Sequence, residues 1–248
     1  MIYIKRHKEY LLMKESCKIV AEVLFTLENS IKEGVNSLHL NNIAEKIIYK
    51  YNAIPAFKGY RGFPFSICAS VNEEAVHGFP NEDILTWSDI ISIDVGVIKN
   101  NYCGDAAFTK AVGKVRESTQ ELVNTTEKCL YNAIEGYKNN CKVGDISNII
   151  HETAFVNGFN VIKKYGGHGI GKKVHEKPYV PNYGSGNKGS VLKPGTCIAI
   201  EPILTFGKSG IILKENGWTV LAKDLSLTAH FEHTVFLTEN GPDILTLY

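Results

Sequence analysis

The sequence lacks an excess of charge of either sign and has no long hydrophobic run. Its 248 residues carry 27 Lys and Arg against 26 Asp and Glu, a formal net charge of +1. This balance does not predict a nucleic-acid-binding surface or an acidic tail. No apolar run approaches membrane-spanning length. The charges in residues 1–8 precede no apolar segment, so we expect no signal peptide.

The sequence also lacks any Cys-x-x-Cys pair. Its six cysteines are scattered along the chain, at Cys17, Cys68, Cys103, Cys129, Cys141 and Cys197. This spacing argues against a disulfide framework and a structural zinc site. It favours a reducing compartment, so we expect a cytoplasmic protein.

Two helices followed by strands occur twice along the chain. Apolar positions at helical spacing predict helices over about 7–30 and from an N-cap at Ser37. In the second half, a capping box at Ser118 and Glu121 and a start at Gly144 predict two more. We therefore expect an α+β fold in which residues 1–248 form a single domain. Its two similar halves, about 7–110 and 118–248, would each place two helices on an antiparallel sheet.

The stretch from Ile90 to Asp105 predicts a buried hairpin that carries two carboxylates on one face. A loop at Lys99 and Asn100 would place Asp94 directly opposite Asp105, and a loop at Asn100 and Asn101 would keep both on the same face. Like charges so placed need a proton or a metal ion between them. Ordinary turn-flanking acids would also fit this stretch alone.

Three further groups lie at strand positions. His168 is surrounded by four glycines, and Glu201 ends an apolar strand before Pro202. On a late strand, Ser226 to Leu237, alternation places Glu232 on the same face as His230 and Thr234. Each has a simpler reading: His168 in a glycine-rich turn, Glu201 in solvent, and His230 and His233 as hydrogen-bonded strand residues. Together with Asp94 and Asp105, however, they give four carboxylates and one imidazole, a ligand set suited to two divalent ions of Mn, Fe, Co or Zn.

The chain resembles the type I methionine aminopeptidases, which have the pita-bread (creatinase/aminopeptidase) fold. The five candidate ligands follow one another at spacings of 11, 63, 33 and 31 residues. The resemblance runs through nearly the whole chain and rests on segments including Gly59–Pro64, Val71–Glu74, His77-Gly78, Ser92–Gly96, Gly104-Asp105, Gly167–Gly171, His175-Glu176, Ile200–Pro202, Gly217–Thr219 and Phe231–Thr234. The chain begins close to the expected catalytic domain, so we expect the compact bacterial form of the family.

The resemblance implies a role for each ligand. Asp94 would bind one metal ion with both oxygens, Asp105 and Glu232 would bridge the two ions, and His168 and Glu201 would complete the second. The ions would activate water for attack on the first peptide bond, and the substrate's free amine would bind on the Asp94 side.

The resemblance also implies catalytic and substrate-binding roles. Glu201 would carry a proton to the leaving amine, while His175 and His77 would bind the carbonyl and the amide of the scissile bond. The methionine pocket would use Tyr60, Phe63, Cys68 and Trp218 with His77 and His175, and Val174 would stand beside it.

The chain departs from the usual family pattern at Arg61, Phe63 and Val174, and a smaller side chain at 174 would thin the pocket wall. Trp218 also fits a packing residue after an Asn216-Gly217 type I′ turn, and Cys68 fits a core residue.

The expected activity is removal of the initiator methionine from nascent polypeptides whose second residue is small. The protein would act as a monomer near the ribosome. Two alternatives remain: a Pro-specific relative such as aminopeptidase P or prolidase, and a non-catalytic pita-bread protein that binds partners.

Overall fold

The computed structural model describes residues 1–248 and contains four helices and fifteen strands. The helices are α1 (His7–Ser30), α2 (Ser37–Lys50), α3 (Glu117–Gly136) and α4 (Val143–Val156), with a short 3₁₀ turn at Tyr60–Gly62. The strands are β1 (Ile54–Pro55), β2 (Ile67–Val71), β3 (Glu74–Val76), β4 (Ile90–Lys99), β5 (Tyr102–Ala111), β6 (Asn160–Val161), β7 (Gly166–Gly169), β8 (Glu176–Pro181), β9 (Cys197–Ile200), β10 (Ile203–Thr205), β11 (Ile211–Leu213), β12 (Val220–Ala222), β13 (Thr228–His230), β14 (His233–Thr238) and β15 (Gly241–Ile244). No helix has both the length and the apolar character needed to cross a membrane.

The predicted positions of the four helices are confirmed, but two predicted caps are wrong. The cap of α2 is Asn36, whose side chain accepts from the His39 amide, while Ser37 lies inside the helix and its hydroxyl accepts from the Asn81 amide. Helix α3 begins after Arg116 without a side-chain cap, so Ser118 lies within its first turn. Ser and Asn are both good caps, and the contact of Ser37 with a distant loop decided between them.

The first half places its long hairpin, β4 and β5, in a four-stranded sheet with β1 and β2. Lys99 pairs with Tyr102, so the hairpin loop is Asn100 and Asn101. Both asparagines have positive φ, as a type I′ turn requires. Helix α1 packs on β4 and β5 of this sheet.

The second half contains a five-stranded antiparallel sheet in the order β15-β14-β9-β7-β8. The glycines of β7 permit unusually close strands: a Cβ on Gly167 would lie 2.3 Å from the Ala199 carbonyl oxygen, and one on Gly169 would lie 2.2 Å from the Lys177 oxygen. The glycine-rich segment around His168 is therefore a central strand rather than a turn.

Two expectations for the second half are wrong. The strand expected from Ser226 to Leu237 is two strands, β13 and β14, interrupted at Phe231 and Glu232. The Asn216-Gly217 turn is not type I′, because only Gly217 has positive φ. The Asn216 side chain instead accepts from the Trp218 and Thr219 amides within a longer loop.

The two halves join at the interruption between β13 and β14. The Glu232 amide donates to the Ala107 carbonyl and the Ala107 amide donates back, which ties the last strands to β5. Strand β3 of the first half also pairs with β12 of the second. A cluster of 43 buried hydrophobic residues runs through both halves. Strands β4 and β5 of the first half therefore lie against β13 and β14 of the second half.

Candidate active site

A cavity of about 380 Å³ opens where the two sheets meet. All five predicted metal ligands line it: Asp94, Asp105, His168, Glu201 and Glu232. They come from β4, β5, β7, the end of β9 and the interruption before β14. The structure thus brings together five residues that lie as far apart in the sequence as Asp94 and Glu232.

The two aspartates lie on the same face of the first hairpin but are not directly opposite each other. Asp105 pairs with Gly96, and Asp94 pairs with Ala107, which is the arrangement expected from the Asn100 and Asn101 loop. Asp105 is buried, and its amide donates to the Thr234 hydroxyl of the other sheet. The diagonal placement still brings the two carboxyl groups close enough for each to shift the pKa of the other.

The imidazole of His168 is held with one nitrogen toward the carboxylates. Its Nδ1 lies 3.0 Å from the carbonyl oxygen of Gly169, to which an Nδ1–H donates. Its Nε2 then carries a lone pair and lies 3.5 Å from Glu201 and 4.0 Å from Asp105. A backbone hydrogen bond that fixes the tautomer in this way is usual for a metal-binding histidine.

Glu201 and Glu232 complete the group. Glu201 directs Oε1 to His168, at 3.5 Å, and Oε2 to His230, at 3.9 Å. Glu232 is buried, and one of its oxygens is also 3.9 Å from His230. Ligand atoms of Asp105, His168 and Glu232 all lie within 4.8 Å of one another, close enough to share an ion.

The pKa values of the four acids are all raised, because the acids lie close together in one buried site. Burial raises the pKa of Asp94 to about 7 and that of Glu201 to about 8. Burial and neighbouring carboxylates raise the pKa values of Asp105 and Glu232 well above their usual range. Burial lowers the pKa of His168 to about 3, so the imidazole is neutral and free to act as a ligand.

The residues present fit divalent cations. Buried oxygens of Asp94, Asp105 and Glu232 have no hydrogen-bond partner in the protein. Buried polar atoms without partners are rare and call for an ion or another explanation. A set of carboxylates with a single neutral imidazole is a donor set that divalent transition metals accept.

Apolar and aromatic side chains form the other wall of the cavity. Phe63 and Trp218 meet edge to face with ring centroids 5.2 Å apart. Cys68 of β2 pairs with Asp94 of β4, lines the cavity and belongs to the same apolar cluster as Phe63 and Trp218. Phe57 also lines the cavity, whereas Val174 is buried in the same apolar cluster and is not part of the lining. The wall suits an unbranched, apolar side chain.

Two histidines stand near the carboxylates. The ring of His175 stacks on Tyr60, whose hydroxyl is 3.1 Å from Nδ1, and lies 4.3 Å from the ring of His168. His77 has a positive φ of 57° and packs edge to face on Tyr165. Burial lowers the pKa of His77 to about 4 and also lowers the pKa of His175, so both rings are neutral at pH 7.

The model of metallopeptidase family M24 matches residues 11–239 of the chain. The chain belongs to metallopeptidase family M24. The matched region includes every cavity residue described above, from Phe57 to Glu232.

Named members of family M24 resemble the whole chain. The methionine aminopeptidase of Clostridium acetobutylicum is 46% identical over 248 residues, which cover 100% of this chain and 99% of that protein. The crystal structure of the Thermotoga maritima methionine aminopeptidase superposes with a TM-score of 0.99 at 43% identity and covers 100% of both chains. The prolidase of Pyrococcus furiosus has a TM-score of 0.80 at 24% identity, and only 65% of that chain is covered. The prolidase likeness shows the fold alone. The predicted pita-bread fold and the predicted family are confirmed.

Sequence reasoning did not predict several residues of this M24 cavity: Phe57, Lys164, Tyr165 and Tyr179 line it, and His230 faces two of its ligands. Phe57 has no motif of its own, and only its place just before Gly59-Tyr60 could have indicated it. His230 was set on the same face as Glu232 by strand alternation, but a role as an ordinary strand residue was left open. The structure places its Nε2 against two glutamates.

Proposed function

We propose that this chain is a methionine aminopeptidase that removes an N-terminal methionine when the second residue is small. The observation that carries the proposal is the joint lining of one cavity by four carboxylates with a neutral imidazole and by an aromatic, sulfur-containing wall. Family membership and the full-length similarity to proteins with this name support the same activity.

In this proposal Asp94, Asp105, His168, Glu201 and Glu232 hold two divalent ions of Co, Mn, Fe or Zn. When bound, such ions supply an activated water and polarise the scissile carbonyl. Glu201 takes the proton from that water and passes it to the leaving amine. Without a cation, burial raises the pKa of Glu201 to about 8; bound cations would lower it and leave the carboxylate ionised and able to accept a proton.

His175 is proposed to donate a hydrogen bond to the oxygen of the scissile carbonyl. If the Tyr60 hydroxyl donates to Nδ1, the proton of the neutral ring must sit on Nε2. That N–H is then available for a substrate oxygen on which negative charge develops. His77, on the opposite wall beside Trp218, is proposed to bind the amide on the leaving side.

Methionine is proposed to enter the pocket formed by Tyr60, Phe63, Cys68 and Trp218. Thioethers make favourable contacts with aromatic rings, and none of these four side chains is charged at neutral pH, so they would not pair with a first-position Lys or Asp. Arg61, which also lines the cavity, lies over the Tyr60 ring. Phe57 lines the cavity, whereas Val174, the position at which a thinner wall was expected, does not line it.

We further propose that residues 1–248 act as a single catalytic domain and as a monomer. The pairing of β3 with β12 and the continuous core support one domain. Nascent polypeptides at the ribosome are the proposed substrates. The six free cysteines are typical of the reducing cytoplasm, where such substrates arise.

The test is a peptide panel with saturating Mn²⁺. Release of free methionine from Met-Ala-Gly, with much slower release from Met-Arg-Gly, is expected. Equal kcat/KM for these two peptides would refute the small-residue rule. A preference for peptides that lack methionine and carry proline second would instead support a Pro-specific peptidase.

A further inference from the structure

The imidazole of His230 is a buried group that the proposed reaction does not use. Its exposed fraction is 3%, and its Nε2 has no hydrogen-bond partner in the protein. That nitrogen lies 3.9 Å from an oxygen of Glu201 and 3.9 Å from an oxygen of Glu232. Buried polar atoms normally have a hydrogen-bond partner, and the nearest candidates for this nitrogen are the two glutamates of the site.

The backbone of His230 is fixed on both sides, so the direction of its side chain is not incidental. Its amide donates to the Thr109 hydroxyl, and that hydroxyl donates to the His230 carbonyl, each over 2.8 Å. On its other edge His230 pairs with Ile203 of β10. Contacts with β5 on one side and β10 on the other therefore fix the backbone position from which the ring reaches the carboxylates.

Glu201 lies between two imidazoles. Its Oε1 faces His168 and its Oε2 faces His230, so the two oxygens have different surroundings. Glu201 would hold a divalent ion on the side that faces His168, so its Oε2, on the side that faces His230, is the oxygen left for an Nε2–H donor. Hydrogen bonds from an N–H to an ionised carboxylate shorten to about 2.7–2.9 Å, so a shift of about 1 Å would make this contact.

We propose that His230 is a positioning residue whose Nε2–H donates to Oε2 of Glu201 and thereby keeps Oε1 directed toward the metal side. This inference rests on the proposed function. Second partners of this kind orient a ligand before the ion binds, and their loss costs roughly 10–100-fold in metal affinity or activity.

The experiment compares four variants with the wild type by calorimetric titration of Mn²⁺ into chelator-treated protein. His230→Leu and His230→Asn are expected to weaken Mn²⁺ binding by roughly 10–100-fold. His230→Gln, whose amide N–H reaches further than that of Asn, is expected to restore most of the affinity. His233→Leu is the control, because His233 is equally buried on the same segment but contacts Thr246 and Tyr131 on the opposite face.

Thermal unfolding of the same proteins separates positioning from a purely structural role. His233→Leu is expected to lower Tm without changing the Mn²⁺ affinity. Unchanged Mn²⁺ affinity in His230→Leu would overturn the inference. If His230→Leu does not fold, equal affinities for His230→Gln and His230→Asn would overturn it. A Mn²⁺ affinity of His230→Gln as low as that of His230→Leu would also overturn the inference. Gln can donate a hydrogen bond but has no ring nitrogen to bind a metal ion, so this result would indicate that His230 binds the ion directly.

The wild type distinguishes this inference from the proposed function. A wild-type chain that neither binds Mn²⁺ nor releases methionine would refute the proposed function, and the inference would fall with it. A wild type that does both, beside a fully competent His230→Leu variant, would refute the inference alone.

Discussion

The two oxygens of Glu201 illustrate how single side chains acquire different tasks from their surroundings. One faces the neutral imidazole of His168 at 3.5 Å and the other faces His230 at 3.9 Å. Without a cation, burial raises the pKa of this carboxyl to about 8, and a cation bound beside it would lower that value. The position of Glu201 between two imidazoles in the ligand cluster makes it the candidate for the proton carrier.

We predict that Glu201→Gln lowers kcat by at least ~10²-fold, because the amide cannot accept the proton and is a poorer ligand. Steady-state assays of the Mn²⁺-loaded variant on Met-Ala-Gly provide the measurement. Glu82→Gln, an exposed change in a loop, is the control and should keep wild-type rates. Near-normal kcat in the loaded Glu201→Gln variant would exclude Glu201 as the base.

We predict that His175→Ala lowers kcat with little change in KM. Its hydrogen bond strengthens as charge develops on the carbonyl oxygen, so the loss should be on the order of 2.7–4 kcal/mol. Tyr60→Phe removes only the hydroxyl that lies 3.1 Å from Nδ1 and should have a smaller effect. A change confined to KM would assign His175 to ground-state binding instead.

We predict that Phe57→Ala weakens selection at the first position. Removing the ring enlarges the methionine pocket, and shape alone separates apolar side chains by ~1–3 kcal/mol. The ratio of kcat/KM for Met-Ala-Gly to that for Phe-Ala-Gly should fall by roughly tenfold. Phe65→Ala removes a ring that contacts Phe63 but does not line the cavity, and it should leave the ratio unchanged. An unaltered ratio in Phe57→Ala would show that this ring does not set selectivity.

At the scale of single elements, the glycines of β7 determine how closely its neighbours β8 and β9 lie within the second sheet. The strand carries His168 between two glycines whose missing side chains let β8 and β9 lie close. Gly167 faces the Ala199 carbonyl, a backbone atom that cannot move aside as a flexible side chain could. The glycines contribute no side-chain packing of their own, but they allow the close strands that hold His168 in place.

We predict that Gly167→Ala destabilises the fold by ~1–3 kcal/mol, the usual cost of overpacking, since its Cβ would lie 2.3 Å from the Ala199 oxygen. Urea unfolding measures the change. Gly210→Ala is the matched control, because its Cβ would meet nothing closer than 3.5 Å. Equal stability of the two variants would contradict the close approach described for β7.

At the scale of the whole molecule, each half contributes two carboxyl groups to one buried site, where the four groups lie close together. The first sheet contributes Asp94 and Asp105, and the second contributes Glu201 and Glu232. The Ala107 and Glu232 backbone pair holds the sheets together at this point. Cations that bind between the halves would therefore stabilise the entire fold as well as enable the reaction.

We predict that dialysis against a chelator abolishes activity and lowers Tm, and that Mn²⁺, Co²⁺ or Fe²⁺ restores both. An ion at about 1,000 times its Kd contributes about 4 kcal/mol, which corresponds to roughly 10 °C in Tm for a chain of this size. Asp105→Asn should lose this response, while Asp83→Asn, an exposed change, should retain it. Full activity in a demonstrably metal-free sample would contradict the prediction.

The sequence by itself determined the fold class, the positions of the four helices and the face on which each hairpin carboxylate lies. These features follow from apolar periods of 3.6 and 2 residues, which local sequence records directly. It also supplied the five candidate ligands as an ordered set of motifs. The predicted caps at Ser37 and Ser118 were wrong because several polar residues near a helix start compete for that position.

Only the tertiary structure decided which atoms face one another. The choice between two hairpin loops moved Asp94 from a position opposite Asp105 to a diagonal one, although both loops keep the same face. The lining of the pocket by Phe57 and the direction of His230 toward Glu201 depend on strands far apart in sequence. Local patterns specify the face of an element, whereas distances between side chains on different elements arise only when the two sheets pack together.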